Sequence, residues 1–130
     1  IMGGERVLGR RGRVMDDLRR AVESGLPVEA LAEVTRHVGE PGLRYRVVPK
    51  ATLHRRKQRL SPDESARLER MARTTALAEY VWEDQDLARR FLLGRQTGLG
   101  GERPIDLARS ELGARQVEEL LLKLEYSLPV

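Results

Sequence analysis

The chain has no cysteine in 130 residues. Disulfides and thiolate metal sites are therefore excluded, and a reducing compartment fits. Histidine is nearly absent too. His37 and His54 are the only two, and neither has a metal-ligand partner at a recognisable spacing. No apolar run exceeds three residues, as at 120–122, so nothing approaches a membrane span. No signal peptide is read ahead of the domain, and a cytoplasmic location is expected. Aromatic residues make up 4% of the chain, which disfavours sheet. Acids are missing from one stretch altogether. Between Arg44 and Arg59 the chain carries Arg44, Arg46, Lys50, Arg55, Arg56, Lys57 and Arg59 with no carboxylate. That window holds a charge of +7 in a chain of net +4, which leaves −3 for the rest. One region prefers anions and the remainder does not.

Leucine, alanine, arginine and glutamate dominate, and they favour helix. Residues 1–13 are rich in glycine and arginine without a period, and read as a flexible arm. Apolar positions Val14, Leu18, Ala21 and Val22 predict a first helix, closed by Gly25. Pro27 suits the first turn of a second helix to about Val38, with Val28, Leu31, Ala32 and Val34 inward. Residues 43–48, LRYRVV, are ambiguous between one helical turn and a short extended piece. Val48 precedes Pro49 and should end whatever they form. A helix over 50–58 follows, anchored by Leu53. Ser61-Pro62-Asp63-Glu64 is a capping box opening a long helix to about residue 83, with Leu68, Met71, Thr75, Ala78 and Trp82 on one stripe. Asp84 should cap the next helix, with Leu87, Phe91 and Leu92 inward. After the turn Gly98-Leu99-Gly100-Gly101, Pro104 opens a single helical turn. Ser110 then caps the last helix, which buries Val117, Leu120, Leu121 and Leu124 and ends near Tyr126. A short apolar tail closes the sequence. The fold class expected is all-α: a compact helical bundle.

The basic window has two readings. In the first, residues 39–60 contain a helix-turn-helix whose second helix, 50–58, enters the major groove. With Leu53 inward, Lys50 and Arg55 face outward, with Thr52, His54 and Arg56 at the flanks. Arg44, Arg46, Lys57 and Arg59 would hold phosphates. In the second, the window is a solvated flank or a protein-facing surface. Residues 39–48 are short and interrupted by Pro41 and Gly42, so a supporting first helix would be truncated.

Catalytic readings do not assemble. His37 reads as a helix-end residue, and Glu83, Asp84 and Asp86 as helix-start carboxylates. The glycine turn lacks the Lys-Ser or Lys-Thr of a phosphate loop. Nothing unites a nucleophile, a base and an orienting group, so a binding protein is expected, with no enzyme activity, cofactor or metal.

The order of motifs does carry a resemblance. Pro49-Lys50-Ala51-Thr52-Leu53-His54-Arg55-Arg56 and Leu60-Ser61-Pro62-Asp63-Glu64-Ser65-Ala66-Arg67-Leu68 come first. Leu99-Gly100-Gly101-Glu102-Arg103-Pro104-Ile105-Asp106-Leu107 and Gly113-Ala114-Arg115-Gln116-Val117-Glu118-Glu119-Leu120-Leu121 follow. Together they resemble the Xre/MbcA/ParS antitoxins from about Leu18 onward. The resemblance implies a helix-turn-helix part over 14–60 and a helical toxin-binding part over 61–130. It implies a type II toxin–antitoxin module whose partner is a RES-domain toxin that destroys NAD, and repression of the module's own operon. It further implies that the C-terminal region covers the toxin's active-site entrance. Carried onto this chain, those residues are Tyr126, Ser127, Leu128, Pro129 and Val130. Two departures stand out: the tail lacks the glycine common in the family, and 39–48 is shorter than the usual helix before P-x-x-T-L. A homodimer matching a two-fold operator is expected within the toxin–antitoxin complex. The competing reading is a stand-alone helix-turn-helix regulator without a toxin, and a third is a purely structural adaptor.

Overall fold

The computed structural model describes residues 15–55 and 58–127, with the side chain of Ser127 excepted. The expected arm over 1–13 and the tail residues 128–130 lie outside the described residues. Among the described residues the regular structure is entirely helical: α1 (15–24), α2 (Val28–Val38), α3 (Arg44–Val47), α4 (Lys50–Arg55), α5 (Pro62–Trp82), α6 (Gln85–Leu93), α7 (Pro104–Leu107) and α8 (Glu111–Ser127). Short 3-10 turns at Pro41–Leu43 and Thr97–Leu99 complete it.

α5 is the axis. Ser61 accepts from the Glu64 amide at 3.2 Å while the Glu64 carboxylate accepts from the Ser61 amide at 2.8 Å, the reciprocal cap that the sequence predicts. Leu68, Met71, Thr75 and Ala78 are buried along the expected stripe, with Trp82 half-buried at its end. The buried hydroxyls of Thr74 and Thr75 donate to the carbonyls of Arg70 and Met71, both at 2.8 Å, so neither is left unsatisfied. Around α5, one core joins Leu31, Val38, Leu43, Val47 and Val48 from the first half to Phe91, Leu92, Ile105, Val117 and Leu121 from the second.

The first half is pinned to the start of α5 by a crossing of two extended segments. The Leu60 amide donates to the Leu26 carbonyl at 2.8 Å, the Val28 amide to the Gln58 carbonyl at 3.0 Å, and the Leu26 amide to Ser65 Oγ at 2.7 Å. Gly25, at φ +93°, is required there, because a Cβ would sit 2.4 Å from the Leu60 carbonyl oxygen. This pairing explains why α4 does not reach Gln58. Residues 58–60 are drawn into the crossing, which includes a bridge between Pro27 and Arg59. Pro27 is likewise taken to the cap position, one residue ahead of α2.

Two inward assignments are corrected. Ala32 is exposed, and Leu87 is 41% exposed in the first turn of α6, where Ala88, Phe91 and Leu92 form the buried face instead. The ambiguous LRYRVV segment is a helical turn that buries Leu43, Val47 and Val48. Val48 leaves it extended at φ −133°, ψ 125°, as a residue before proline must. Asp84 caps α6 through the Leu87 amide at 2.9 Å, and Ser110 accepts from the Gly113 amide at 3.0 Å at the start of α8.

Candidate functional site

The basic window folds into two short helices with a sharp turn between them. Residues 41–47 run as a 3-10 turn into α3, the chain breaks at Val48-Pro49, and α4 begins at Lys50. The segment with α3 is the anchored member, through Val47 and the flanking Leu43 and Val48, all buried. α4 buries no residue, and only its Leu53 packs partly against the core. Its polar side is left to solvent: Lys50, His54 and Arg55 are exposed, and Thr52 is half-buried. This is the surface a helix needs to enter a groove, mounted on a first helix of minimal length.

The candidate cations are not equivalent. Tyr45 collects two of them, with the Arg44 guanidinium 4.9 Å and the Lys50 ammonium 5.9 Å from its ring centroid. Arg46 is held by a short hydrogen bond to Asp106 of α7, sixty positions on. Arg59 donates to the Gly25 carbonyl at 2.7 Å. Among the described residues, Arg44, Lys50 and Arg55 have no carboxylate partner. Arg56 and Lys57 lie outside the described residues.

Asp106 belongs to a wider charged junction that sequence spacing alone did not reveal. Arg103 donates to both Asp106 oxygens at 2.8 and 3.1 Å, and to both Glu40 oxygens at 3.0 and 3.2 Å. The Arg103 hydrogen bonds, with a smaller attraction from Arg46 and Arg109, hold the Asp106 carboxyl below the usual carboxylate range against the opposing effect of burial. The same carboxylates raise the Arg103 pKa further above its already high value. The cluster ties the segment before α3 and α3 itself to α7. His37, expected at its helix end, is in the last turn of α2 with Nδ1 3.2 Å from Glu79 Oε1.

The second candidate surface is the end of α8. Tyr126 is 83% exposed, and Ser127 is the helix's last residue. Val117 and Leu121 are fully buried, so α8 has one face committed to the core and another carrying exposed Leu112, Leu122 and Tyr126. The predicted contacts Leu128, Pro129 and Val130 lie outside the described residues. Missed by the sequence reading is Tyr80 on α5, 69% exposed. The available signal was that it falls off the Leu68–Trp82 stripe. Among the described residues there is no group of three or more histidine or acidic side chains placed to hold a metal, and no helix long and apolar enough to cross a membrane.

Two family models match the chain, and they meet within α5. Residues 17–73 match the antitoxin Xre-like helix-turn-helix domain, and residues 77–126 the antitoxin Xre/MbcA/ParS C-terminal toxin-binding domain. A curated relative, Antitoxin Xre of Pseudomonas putida (strain KT2440), is 33% identical over 112 residues, covering 83% of this chain and 70% of the relative. With a helix-turn-helix domain matched in its first half and a toxin-binding domain in its second, the chain belongs to the Xre/MbcA/ParS family of antitoxins.

Proposed function

We propose that this antitoxin neutralises a RES-domain toxin, which consumes NAD, by covering the entrance of its active site with Tyr126, Ser127, Leu128, Pro129 and Val130. The observation that carries the reading is the end of α8. A helix whose inner face is fully committed to the core delivers an 83%-exposed tyrosine directly ahead of an apolar tail. Burying a leucine or valine side chain contributes about 1.5–3 kcal/mol. Steric occlusion of this kind requires no catalytic group on the antitoxin. Toxin contact is assigned to 61–130 and DNA contact to 14–60, and the complex acts in the cytoplasm.

The same protein represses its own operon by placing α4 in the major groove. Lys50, Thr52, His54, Arg55 and Arg56 lie toward base edges, and Arg44, Arg46, Lys57 and Arg59 toward phosphates. A dimer sets the two reading helices on a two-fold operator. The exposed, carboxylate-free α4 supports this reading. Deleting residues 127–130 tests the first claim: the truncated chain should fold normally but fail to protect cellular NAD when the neighbouring toxin gene is co-expressed. Full protection by the truncated chain refutes it. A stand-alone regulator, the competing reading, would bind its operator and retain no toxin in a pull-down with the neighbouring reading frame.

A further inference from the structure

α5 and α8 advance in the same direction. The Arg70 guanidinium donates to the Arg109 carbonyl at 2.8 and 3.1 Å, and three residues further on Arg73 meets Glu118 at 2.8 Å. Seven residues beyond Arg73, two turns on and on the same face, stands Tyr80. Four and eight residues beyond Glu118 stand Leu122 and Tyr126. These three side chains are 69%, 43% and 83% exposed, and Ala76 between Arg73 and Tyr80 is also exposed. Only five aromatic residues occur in the chain, three of them tyrosines, and two of those tyrosines are placed in solvent at this one end. The rest of the strip's surroundings are charged: Glu79 on α5 and Glu83 just past its end, and Glu119, Lys123 and Glu125 on α8. An aromatic and aliphatic centre with a charged rim is the anatomy of a protein interface rather than of a solvated bundle end.

We infer that the toxin is held by a gripping face made of Tyr80, Leu122 and Tyr126 at the ends of α5 and α8, separable from the tail proposed to obstruct the active site. Only that separability rests on the proposed tail blockade. The occupant of the face is the cognate toxin, because all three residues fall inside the region matching the toxin-binding domain. Tyrosine suits this role, since it brings a large contact area at little cost in side-chain entropy. The face contributes affinity alone, whereas the tail also obstructs.

The test uses the full-length antitoxin and its purified cognate toxin, with affinity measured by calorimetry and NAD turnover measured separately. Tyr80→Ala is expected to raise Kd at least tenfold. It should leave the melting temperature and operator gel shift unchanged, and inhibition should return when antitoxin is raised above the new Kd. Tyr80→Phe should keep wild-type affinity. Deleting 127–130 should raise Kd as the burial of Leu128 and Val130 is lost and, unlike Tyr80→Ala, should leave even the saturated complex turning over NAD. A Kd within twofold of wild type for both Tyr80→Ala and the pair Leu122→Ala with Tyr126→Ala overturns the gripping face. So does a change in the antitoxin's own oligomeric mass with toxin affinity intact, which would make the strip a contact between antitoxin copies. If instead the truncated chain inhibits fully while Tyr80→Ala loses affinity, the tail blockade fails and the gripping face stands.

Discussion

Replacing Arg103 with methionine should destabilise the protein far more than loss of an ordinary surface arginine. Its guanidinium makes four hydrogen bonds of 2.8–3.2 Å to two carboxylates, and the side chains of Arg103, Asp106 and Glu40 are 19%, 21% and 31% exposed. An exposed ion pair contributes about 0–1 kcal/mol. Breaking a fully buried one costs about 3–5 kcal/mol, because the orphaned charge stays desolvated. The junction lies between these limits. Methionine retains most of the apolar stem, so the loss is chiefly electrostatic. Asp106 keeps Arg46 as a partner, while Glu40 loses the arginine that grips both its oxygens. The four bonds share one guanidinium and are not additive, so about 2–3 kcal/mol is expected rather than four times the value of a charged hydrogen bond. For a chain of this size that lowers the melting temperature by about 10 °C, readable by calorimetry or by helical circular dichroism. Glu40→Gln in the Arg103→Met background should add little, giving a coupling energy above about 1 kcal/mol in the double-mutant cycle. A melting temperature within about 2 °C of wild type for Arg103→Met would show that water replaces the junction at no cost, and the reasoning would fail.

Ser61→Ala should cost about 1 kcal/mol by removing the cap of α5, measured by urea unfolding with an unchanged slope. Gly113→Ala should be worse, at least about 3 kcal/mol or failure to fold, since its Cβ would lie 1.9 Å from the Leu107 carbonyl oxygen; expression with a thermal melt reports it. The depressed Asp106 pKa adds stability that is present above its unfolded value near about pH 4 and is lost as pH falls through the lower folded value. Asp106→Asn should therefore flatten the acid limb of stability against pH. Arg55→Ala should cost about 1–3 kcal/mol of operator affinity and relax specificity at the base it reads, as measured by gel shifts against operator variants.

What the sequence disclosed was local. Ser61, Asp84 and Ser110 cap helices through atoms three residues away, and each was legible because the signal and its target share one turn. The long stripe on α5 was legible for the same reason. LRYRVV was not, since one turn is too short to show a period and its helicity is fixed by burying Leu43, Val47 and Val48 against distant elements. Leu87 misled because an apolar residue at a helix start satisfies the pattern whether or not anything packs on it. In the basic window, composition marked the region but did not rank its members. The partners that occupy Arg46 and Arg59 are 60 and 34 positions away, at Asp106 and Gly25. Tyr80 escaped for the opposite reason, because an isolated exposed aromatic has no period to announce it.

The two matched domains meet inside one uninterrupted helix, between residues 73 and 77 of α5. There is no linker at that junction to absorb an error in length. Inserting or deleting a single residue there would swing everything downstream by about 100° and shift it by about 1.5 Å relative to the reading helices. Chimaeras that join the first half of one antitoxin to the second half of another should therefore succeed only when the helical phase is kept.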